Sequence, residues 1–221
     1  HLRLPMLHPF GQRYRAERPG GTRVVGRRDA SRPPVLGQHQ WPRIVAVVGG
    51  LQHHASPDAE AARQFYHAIF GWQYDIGGPE FGGYTTARLG DRVVAGLSAI
   101  PESMAGMKPT WGLYFATNDI QADVAQAEKL GAKVLYPTMV VGSFGSMAHL
   151  QDPTGGEFSF WQADTHVGWQ VAEEPGSVAW HELYTPNAKA ARDFYTALLG
   201  ATADPMPGGM EYYVLKQGER M

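Results

Sequence analysis

The chain has 221 residues, of which 43% are hydrophobic, and its formal net charge at pH 7 is −2. This length and apolar content are sufficient for one large domain or two small ones with a real core. The nearly balanced charge argues against a nucleic-acid partner, and the lack of cysteine excludes disulfide bonds, thiolate metal sites and a cysteine nucleophile. No apolar run approaches the roughly 20 residues that a membrane helix needs, so we expect no membrane partner. The first ten residues lack the pattern of a secretion signal, and we expect a cytoplasmic protein.

Residues 1–43 differ in composition from the rest of the chain. They contain nine arginines, no lysine, two acidic residues and six prolines. They show no apolar period of either a strand or a helix, so they cannot bury one face of either element. We predict that they form a disordered leader, or a leader that is not native coding sequence. A basic arm for nucleic acid or a membrane surface is the alternative.

One stretch of sixteen residues occurs twice, as SPDAEAARQFYHAIFG at 56–71 and as TPNAKAARDFYTALLG at 185–200, with nine identical positions. Ser56 and Thr185 are predicted to be N-caps that precede a proline at the first helical position, and Gly71 and Gly200 to be left-handed C-terminal caps. Each copy carries one apolar stripe. The two stripes are Ala62, Phe65, Tyr66, Ile69 and Phe70, and Ala191, Phe194, Tyr195, Leu198 and Leu199. Each copy therefore predicts a helix with one face packed on a sheet.

Strand patterns surround these helices. RIVAVVGGLQHH and SVAWHELY precede them, and GGYTTARLG and RVVAGLSAI predict a hairpin that turns at Gly90 and Asp91. TWGLYFAT predicts the next strand, followed by a helix over about 120–130 that Gly131 closes. AKVLYPTMVV, SMAHLQ and GEFSFWQ predict three more strands, the last two joined by a tight turn at 152–155.

These elements predict βαβββ units that begin near residues 44, 109 and 177, so that the helix repeat skips one unit. We predict an α+β protein in which paired βαβββ modules form a cupped, mixed or antiparallel sheet. The expected organisation is a leader at 1–43, one domain of two modules at 44–165, a polar linker at 166–176 and the truncated start of a second domain at 177–221. We expect the chain to be a fragment.

The segments PDAEAARQFYHAIFGW, WGLYFATNDIQADVAQAEKLGAKV and DPTGGEFSFWQ, in this order, resemble the vicinal oxygen chelate superfamily. This superfamily includes glyoxalase I, bleomycin-resistance proteins and extradiol dioxygenases. The likeness is greatest to two-domain glyoxalase-like proteins of actinobacterial type, and it covers residues 56–221. It implies a pair of modules whose sheets curl into a cup, in which metal-dependent members hold a divalent ion with histidine and glutamate side chains.

The positions where the resemblance implies metal ligands hold other residues. The ligand on the first strand of a module would fall fourteen residues before the Phe of the Phe-Tyr pair, at Leu51 and Trp180. The equivalent position of the second module is Trp111, and the closing-strand glutamate falls on Ser159. Leucine and tryptophan cannot coordinate a divalent cation, and one serine is a poor ligand, so we expect no cofactor.

Aromatic residues remain as candidates for a binding site. Trp111, Leu113 and Phe115 share one face of their strand, and the closing strand adds a second set. We predict that the cup is lined by Trp111, Leu113, Phe115, Glu157, Ser159, Trp161 and His53, and that it accepts a flat organic ligand. Glu182 is a further candidate acid in the second cup.

Three functions stay open. The first is a glyoxalase-like or bleomycin-resistance-like protein that binds a small hydrophobic or aromatic molecule without the usual metal. The second is a metal-dependent lyase, isomerase or extradiol-type dioxygenase with a displaced divalent-metal site at His53, Glu157 and His149. The third is a structural or interaction domain whose cup is filled by its own aromatic rings. A small molecule is the expected partner, and a homodimer is left open.

Overall fold

The computed structural model describes residues 51–102, 106–209 and 211–217, together with the backbone of two short strands at Leu2–Pro5 and Ile44–Val45. The predicted leader lies outside the described residues apart from Leu2–Pro5, so its disorder stays a prediction. The predicted domain boundaries also stay a prediction.

The described elements follow the predicted α+β order. The first strands are β1 (Leu2–Pro5) and β2 (Ile44–Val45), and the first unit consists of β3 (Leu51–Ser56), α1 (Ala59–Phe70), β4 (Gln73–Ile76), β5 (Thr85–Leu89) and β6 (Arg92–Ala99). The second unit consists of β7 (Thr110–Thr117), α2 (Ile120–Lys129), β8 (Lys133–Val141), β9 (Gly145–Gln151) and β10 (Glu157–Ala163). The third contains β11 (Trp180–Leu183), α3 (Ala188–Leu199), β12 (Thr202–Pro205) and β13 (Tyr213–Lys216).

The described strands form two sheets. The larger has nine strands in the order β4-β5-β6-β3-β7-β10-β9-β8, with β2 paired to β7. Within it β3 is parallel to β6, β7 is parallel to β10, and β3 is antiparallel to β7, so the first two units meet side by side. The smaller sheet has the order β11-β1-β13-β12. Among the described helices, none is long and apolar enough to cross a membrane.

The larger sheet curls on itself. Neighbouring strands lie about 4.8 Å apart, so β4 and β8 would be about 34 Å apart if this sheet were flat. Phe81 ends a short 3₁₀ helix after β4 (Pro79–Phe81), and Phe144 lies between β8 and β9. The centroids of their rings are only 5.4 Å apart. The two edges of the sheet therefore approach each other, and the predicted cup is confirmed.

The predicted N-caps are displaced by two residues. The side chains of Asp58 and Asn187 cap α1 and α3, because each accepts a hydrogen bond from the backbone N–H three residues further on. Ser56 accepts from the N–H of Asp58 at 3.2 Å, and Thr185 accepts from that of Asn187 at 3.3 Å. The hydroxyls thus close a turn before each helix, while the longer Asx side chains reach into its first turn. The left-handed caps are as predicted, with φ of 72° at Gly71 and 61° at Gly200.

The two copies of the repeated helix are buried differently, which the sequence does not predict. In α3 the whole stripe is buried, and it packs with phenylalanines of β7 and β10. In α1 the corresponding Phe65 and Ile69 are 57% and 54% exposed, and only Ala62 is fully buried. Ala62 and Tyr66 of the stripe still pack against buried residues of β5 and β6, and Arg63 beside them donates to Thr85 Oγ1 at 3.1 Å. The same apolar stripe therefore packs against different neighbours in α1 and in α3.

The segment predicted as a polar linker is anchored to the larger sheet. Trp169 and Val171 are buried. The backbone N–H of Gln170 donates to the carbonyl of Val93 at 2.7 Å, and its side chain accepts from the N–H of Val93 at 2.9 Å. This part of the chain is therefore packed, because two of its apolar side chains reach the core.

Candidate functional site

The helices define two faces of the larger sheet. Phe115 on β7 and Phe158 and Phe160 on β10 pack with α2 and α3 in one core cluster, and we call their side the outer face. Side chains alternate along a strand, so Tyr114 and Ser159 lie on the opposite side, the inner face. The register of β7 with β10 agrees, because Ser159 pairs with Tyr114 and Phe160 with Phe115.

This arrangement corrects the predicted cup lining, in which all these side chains share one surface. The outer face holds Trp111, Leu113 and Phe115, whereas the inner face holds His53, Ser159 and Trp161. Phe115 is fully buried in the core and cannot contact a ligand. The reason is register: His53 pairs with Gly112, not with Trp111. An error of one residue along a strand moves a side chain to the other face.

His53 lies between two glycines on the inner face. It pairs with Gly96 on β6 and with Gly112 on β7, and its ring stacks on Tyr84 with centroids 5.6 Å apart and planes at 13°. A Cβ at Gly96 would lie 1.9 Å from the Tyr84 hydroxyl, so only glycine leaves room for this ring. Burial, followed by the charge of neighbouring His54, lowers the pKa of His53 to about 4. The imidazole is therefore neutral at pH 7, and its Nε2 is buried with no hydrogen-bond partner among the described residues.

A row of polar side chains continues across the inner face. Ser159 Oγ hydrogen bonds with Tyr114 and lies 2.9 Å from His149 Nδ1. His149 Nε2 lies 3.1 Å from Glu157 Oε2. Burial raises the pKa of Tyr114, although the hydrogen bond with Ser159 opposes this effect. The row presents hydroxyl, imidazole and carboxylate groups in sequence, a combination that can orient a polar substituent of a ligand.

Trp161 is a second aromatic side chain of the inner face, and it is buried. It is 4% exposed, and its Nε1 donates to the carbonyl of His166 at 2.9 Å. A Cβ at Gly145 would lie 2.8 Å from the indole ring, and Gly145 has a φ of 155°. As at Gly96, a glycine lets an aromatic ring lie flat against the sheet. Neither Tyr84 nor Tyr114 was predicted. Gly112, two residues before Tyr114 on the same strand, was an available signal for Tyr114, whereas Tyr84 meets Gly96 only through the pairing of β5 with β6.

Two of the predicted ligand-binding residues lie on the outer side instead. Trp111 and Leu113 line a cavity of about 580 Å³ that also contacts α1, α3 and the chain from 176 to 183. Glu157, the first residue of β10, also borders this cavity, although its carboxylate contacts His149 in the inner-face row. Tyr66 and Trp72 belong to the same lining and were not predicted. The helix repeat identifies Tyr66 only as an apolar-stripe residue, and the cavity depends on the third unit lying beside the first two.

The described residues do not fit the divalent ion that the family resemblance implies. No three His, Asp, Glu or Cys side chains among them converge as a metal site. β7 and β10 separate His53 from the strand of His149, a distance of about 14 Å at the usual strand spacing. Both ring nitrogens of His149 already contact Ser159 and Glu157. The displaced site at His53, Glu157 and His149 is thus not assembled.

Comparison with known proteins identifies sequence relatives of this chain. Residues 53–161 match the family model of a glyoxalase-like domain. The chain is 36% identical over 167 residues to the putative glyoxylase CFP32 of Mycobacterium tuberculosis. The aligned region covers 73% of this chain and 64% of that protein. The chain is 37% identical over 163 residues to the anthracycline biosynthesis protein DnrV of Streptomyces peucetius, with 67% and 59% covered. The chain thus spans less than two thirds of the length of these relatives.

Among solved structures, the fold is similar to that of homoprotocatechuate 2,3-dioxygenase from Brevibacterium fuscum, in its complex with 3,4-dihydroxyphenylacetate. The TM-score is 0.53, with 13% identity, over 78% of this chain and 60% of that one. At this identity the likeness concerns the fold alone. With its curled sheet of paired βαβββ units and its similarity to glyoxalase-like sequences, the chain belongs to the vicinal oxygen chelate superfamily.

Proposed function

We propose that this protein binds a small aromatic molecule that carries a hydroxyl group, on the inner face of the curled sheet and without a divalent metal. The observation that carries the proposal is His53: its Nε2 is buried, lacks a hydrogen-bond partner among the described residues and lies beside the ring of Tyr84. A buried polar nitrogen without a partner costs about 1–3 kcal/mol, and a ligand that satisfies it recovers part of that free energy.

The chemistry of the lining selects the class of ligand. His53 is neutral at pH 7, so its Nε2 is a donor in one tautomer and an acceptor in the other. A hydroxyl group serves either tautomer, because it both donates and accepts. The ring of Tyr84 favours a flat molecule, and the row from Tyr114 to Glu157 offers further polar contacts. The names of the relatives, a glyoxylase and an anthracycline biosynthesis protein, support a small organic ligand.

The test is calorimetric titration with naphthol and with naphthalene, which lacks the hydroxyl. His53→Phe keeps a flat ring beside Tyr84 but removes the nitrogen, and we expect it to weaken naphthol binding about tenfold, the value of one buried hydrogen bond. Naphthalene binding should change little. His54→Phe is the matched control, because His54 contacts Tyr66 and Trp111 on the outer face. Equal effects of the two variants, or binding of neither compound, would contradict the proposal.

Metal analysis of the purified protein tests the remaining part of the proposal. We expect no stoichiometric divalent ion, because the described donors do not converge. One tightly bound ion per chain, lost in His53→Phe or Glu157→Gln, would favour the metal-dependent lyase, isomerase or dioxygenase instead. If no compound of an extensive set of aromatic ligands binds, the structural or interaction role, with a cup filled by the protein's own aromatic rings, would be favoured.

A further inference from the structure

Three aromatic side chains follow one another across the inner face. They are Tyr84, His53 and Tyr114, and each of them is half-buried. A Cβ at Gly96 would lie 1.9 Å from the Tyr84 hydroxyl, and a Cβ at Gly112 would lie 3.6 Å from Cε2 of Tyr114. Both glycines pair with His53, so each tyrosine ring leans towards a position beside the histidine. We call these three side chains the aromatic floor.

The hydrogen bonds beyond Tyr114 run in one direction. Oε2 of Glu157 lies 3.1 Å from Nε2 of His149, and a carboxylate can only accept, so Nε2 is the donor and carries a proton. In a neutral imidazole the other nitrogen, Nδ1, is then an acceptor. Oγ of Ser159 lies 2.9 Å from this nitrogen, so the serine hydroxyl donates to it. The carboxylate thus fixes the direction of the bonds that follow.

The oxygen of Tyr114 is the end of this chain of hydrogen bonds. The hydroxyl of Ser159 has one proton, which it gives to His149, so it accepts in its hydrogen bond with Tyr114. Burial raises the pKa of Tyr114, so the phenol keeps its proton at neutral pH and donates it to Ser159. The phenol oxygen can still accept a hydrogen bond. Tyr114 therefore presents an acceptor to the inner face, and its partner must be a donor.

The two polar anchors of the floor, His53 and Tyr114, are separated across two strands. His53 pairs with Gly112 and Tyr114 with Leu51, so the anchors are diagonal neighbours, whose Cα atoms are about 7–8 Å apart. The hydroxyl of Tyr114 bonds to Ser159 on β10, which lies on the side of β7 away from β3. Hydroxyls on adjacent carbons of one ring are too close together for this separation, whereas hydroxyls on different fused rings are further apart.

We propose that the inner face binds a fused aromatic molecule with two separated hydroxyl groups, one at Nε2 of His53 and one that donates to the oxygen of Tyr114. This inference rests on the proposed function and adds the number, the spacing and the donor character of the polar groups of the ligand. Glu157 is a positioning residue, because it sets the direction of the hydrogen bonds without contact with the ligand.

The test is calorimetric titration at about pH 7.5, where imidazole groups are neutral, with 2-naphthol, 2,7-dihydroxynaphthalene (the separated diol), its dimethyl ether, and 2,3-dihydroxynaphthalene (the vicinal diol). We expect the separated diol to bind about tenfold more tightly than naphthol, the value of one buried hydrogen bond. The vicinal diol should bind like naphthol. The dimethyl ether, whose oxygens only accept, should bind at least about tenfold more weakly than the separated diol. Equal affinities of the separated diol and any other probe would overturn the proposal.

Two variants locate the second anchor. Tyr114→Phe removes the acceptor, and we expect the affinity ratio of separated diol to naphthol to fall from about ten to about one. Tyr74→Phe is the matched control, because the Tyr74 hydroxyl donates to the carbonyl of Arg63 on α1, and it should keep the ratio at about ten. Equal ratios in the two variants would refute the role of Tyr114.

Glu157→Gln tests the direction of the hydrogen bonds. An amide can donate as well as accept, so it no longer fixes the proton of His149 on Nε2, and Tyr114 can then donate to a ligand. We expect the affinity ratio of separated diol to dimethyl ether to fall by about threefold or more. Glu174→Gln is the control, because the Glu174 carboxylate pairs with Arg92. An unchanged ratio in Glu157→Gln would contradict its positioning role.

The same titrations separate this inference from the proposed function. If naphthol binds and is weakened by His53→Phe, but the separated diol gains nothing over naphthol, the two-hydroxyl inference fails and the proposed function stands. If neither naphthol nor the separated diol binds, both fail.

Discussion

The hydroxyl of Tyr195 fastens the third unit to the second, and its removal is the sharpest test of this packing. Tyr195 lies on α3 and is 3% exposed; its hydroxyl donates to Oδ2 of Asp152 at 2.9 Å. Asp152 is itself 3% exposed and lies in the turn before β10. Its other oxygen, Oδ1, accepts from the backbone N–H groups of Thr154 and Gly156. Burial, and then the charge of Asp152, raises the pKa of Tyr195, so the phenol remains a donor throughout the accessible pH range.

Tyr195→Phe removes one donor from a buried carboxylate and leaves the remaining contacts of the ring. A hydrogen bond to a charged group contributes about 1.5–3 kcal/mol, so we expect the free energy of unfolding to fall by about 2 kcal/mol. With an m value of about 2 kcal/mol per molar urea, the midpoint should fall by about 1 M. The helix repeat supplies the control, because Tyr66 holds the same position in α1. The Tyr66 hydroxyl accepts a hydrogen bond from Nε1 of Trp111. Trp111 is 40% exposed, so water can replace this hydroxyl as the acceptor.

We expect Tyr66→Phe to cost less than about 0.5 kcal/mol, since water replaces a hydroxyl at an exposed site. Urea unfolding followed by circular dichroism measures both variants under the same conditions. Similar losses in the two variants, or a loss below about 0.5 kcal/mol in Tyr195→Phe, would mean that the Tyr195–Asp152 contact does not hold the third unit in place.

Three further predictions concern the helix repeat and the inner face. Phe194 is 4% exposed, so Phe194→Ala should lower the free energy of unfolding by about 3–5 kcal/mol in the same urea assay. Phe65 holds the equivalent position in α1 but is 57% exposed, so Phe65→Ala should cost less than about 1 kcal/mol. Gly96→Ala should abolish naphthol binding in calorimetry, because its Cβ displaces the Tyr84 ring that stacks on His53. Gly112→Ala, whose Cβ would meet atoms only at 3.6 Å or beyond, should bind naphthol normally, and equal effects of the two variants would mean that the Tyr84 ring does not form the site. The pKa of His53 is lowered to about 4, so the unfolded chain binds more protons than the folded one between pH 4 and pH 6.5. Stability should be full above pH 6.5, fall by up to about 1.4 kcal/mol per pH unit as the pH is lowered through this range, and level off below about pH 4. His53→Phe should show a flatter pH profile in the same urea assay.

The local elements could be predicted because their signals are local. The repeated stripe with its closing glycine specifies two helices, and both end at Gly71 and Gly200 as predicted. The turn at Gly90 and Asp91 joins β5 to β6 as predicted. The order of these elements, together with the motifs, was sufficient for the fold class and the superfamily. Each of these signals lies within a few residues of the element that it predicts.

The site could be predicted only in part, because its lining depends on register. The predicted residues lie on both faces of the sheet, and the alternation of side chains turns a shift of one residue into a change of face. Glu157 and Ser159 share one face of β10 by alternation alone, but their contact with His149 comes from the pairing of β9 with β10. Tyr84 reaches His53 only because Gly96 lies between their strands.

The sequence by itself determined the helices, most strands, the order of the units and the family, since periodicity and turn residues act over short distances along the chain. Tertiary structure alone decided that Phe194 is buried while Phe65, in the same local pattern, is exposed. It also decided that Trp111 lies on the outer face of the larger sheet and His53 on its inner face. The physical reason is that burial and shared faces depend on which distant strand or helix lies alongside, and a stripe or an alternation carries no information about that neighbour.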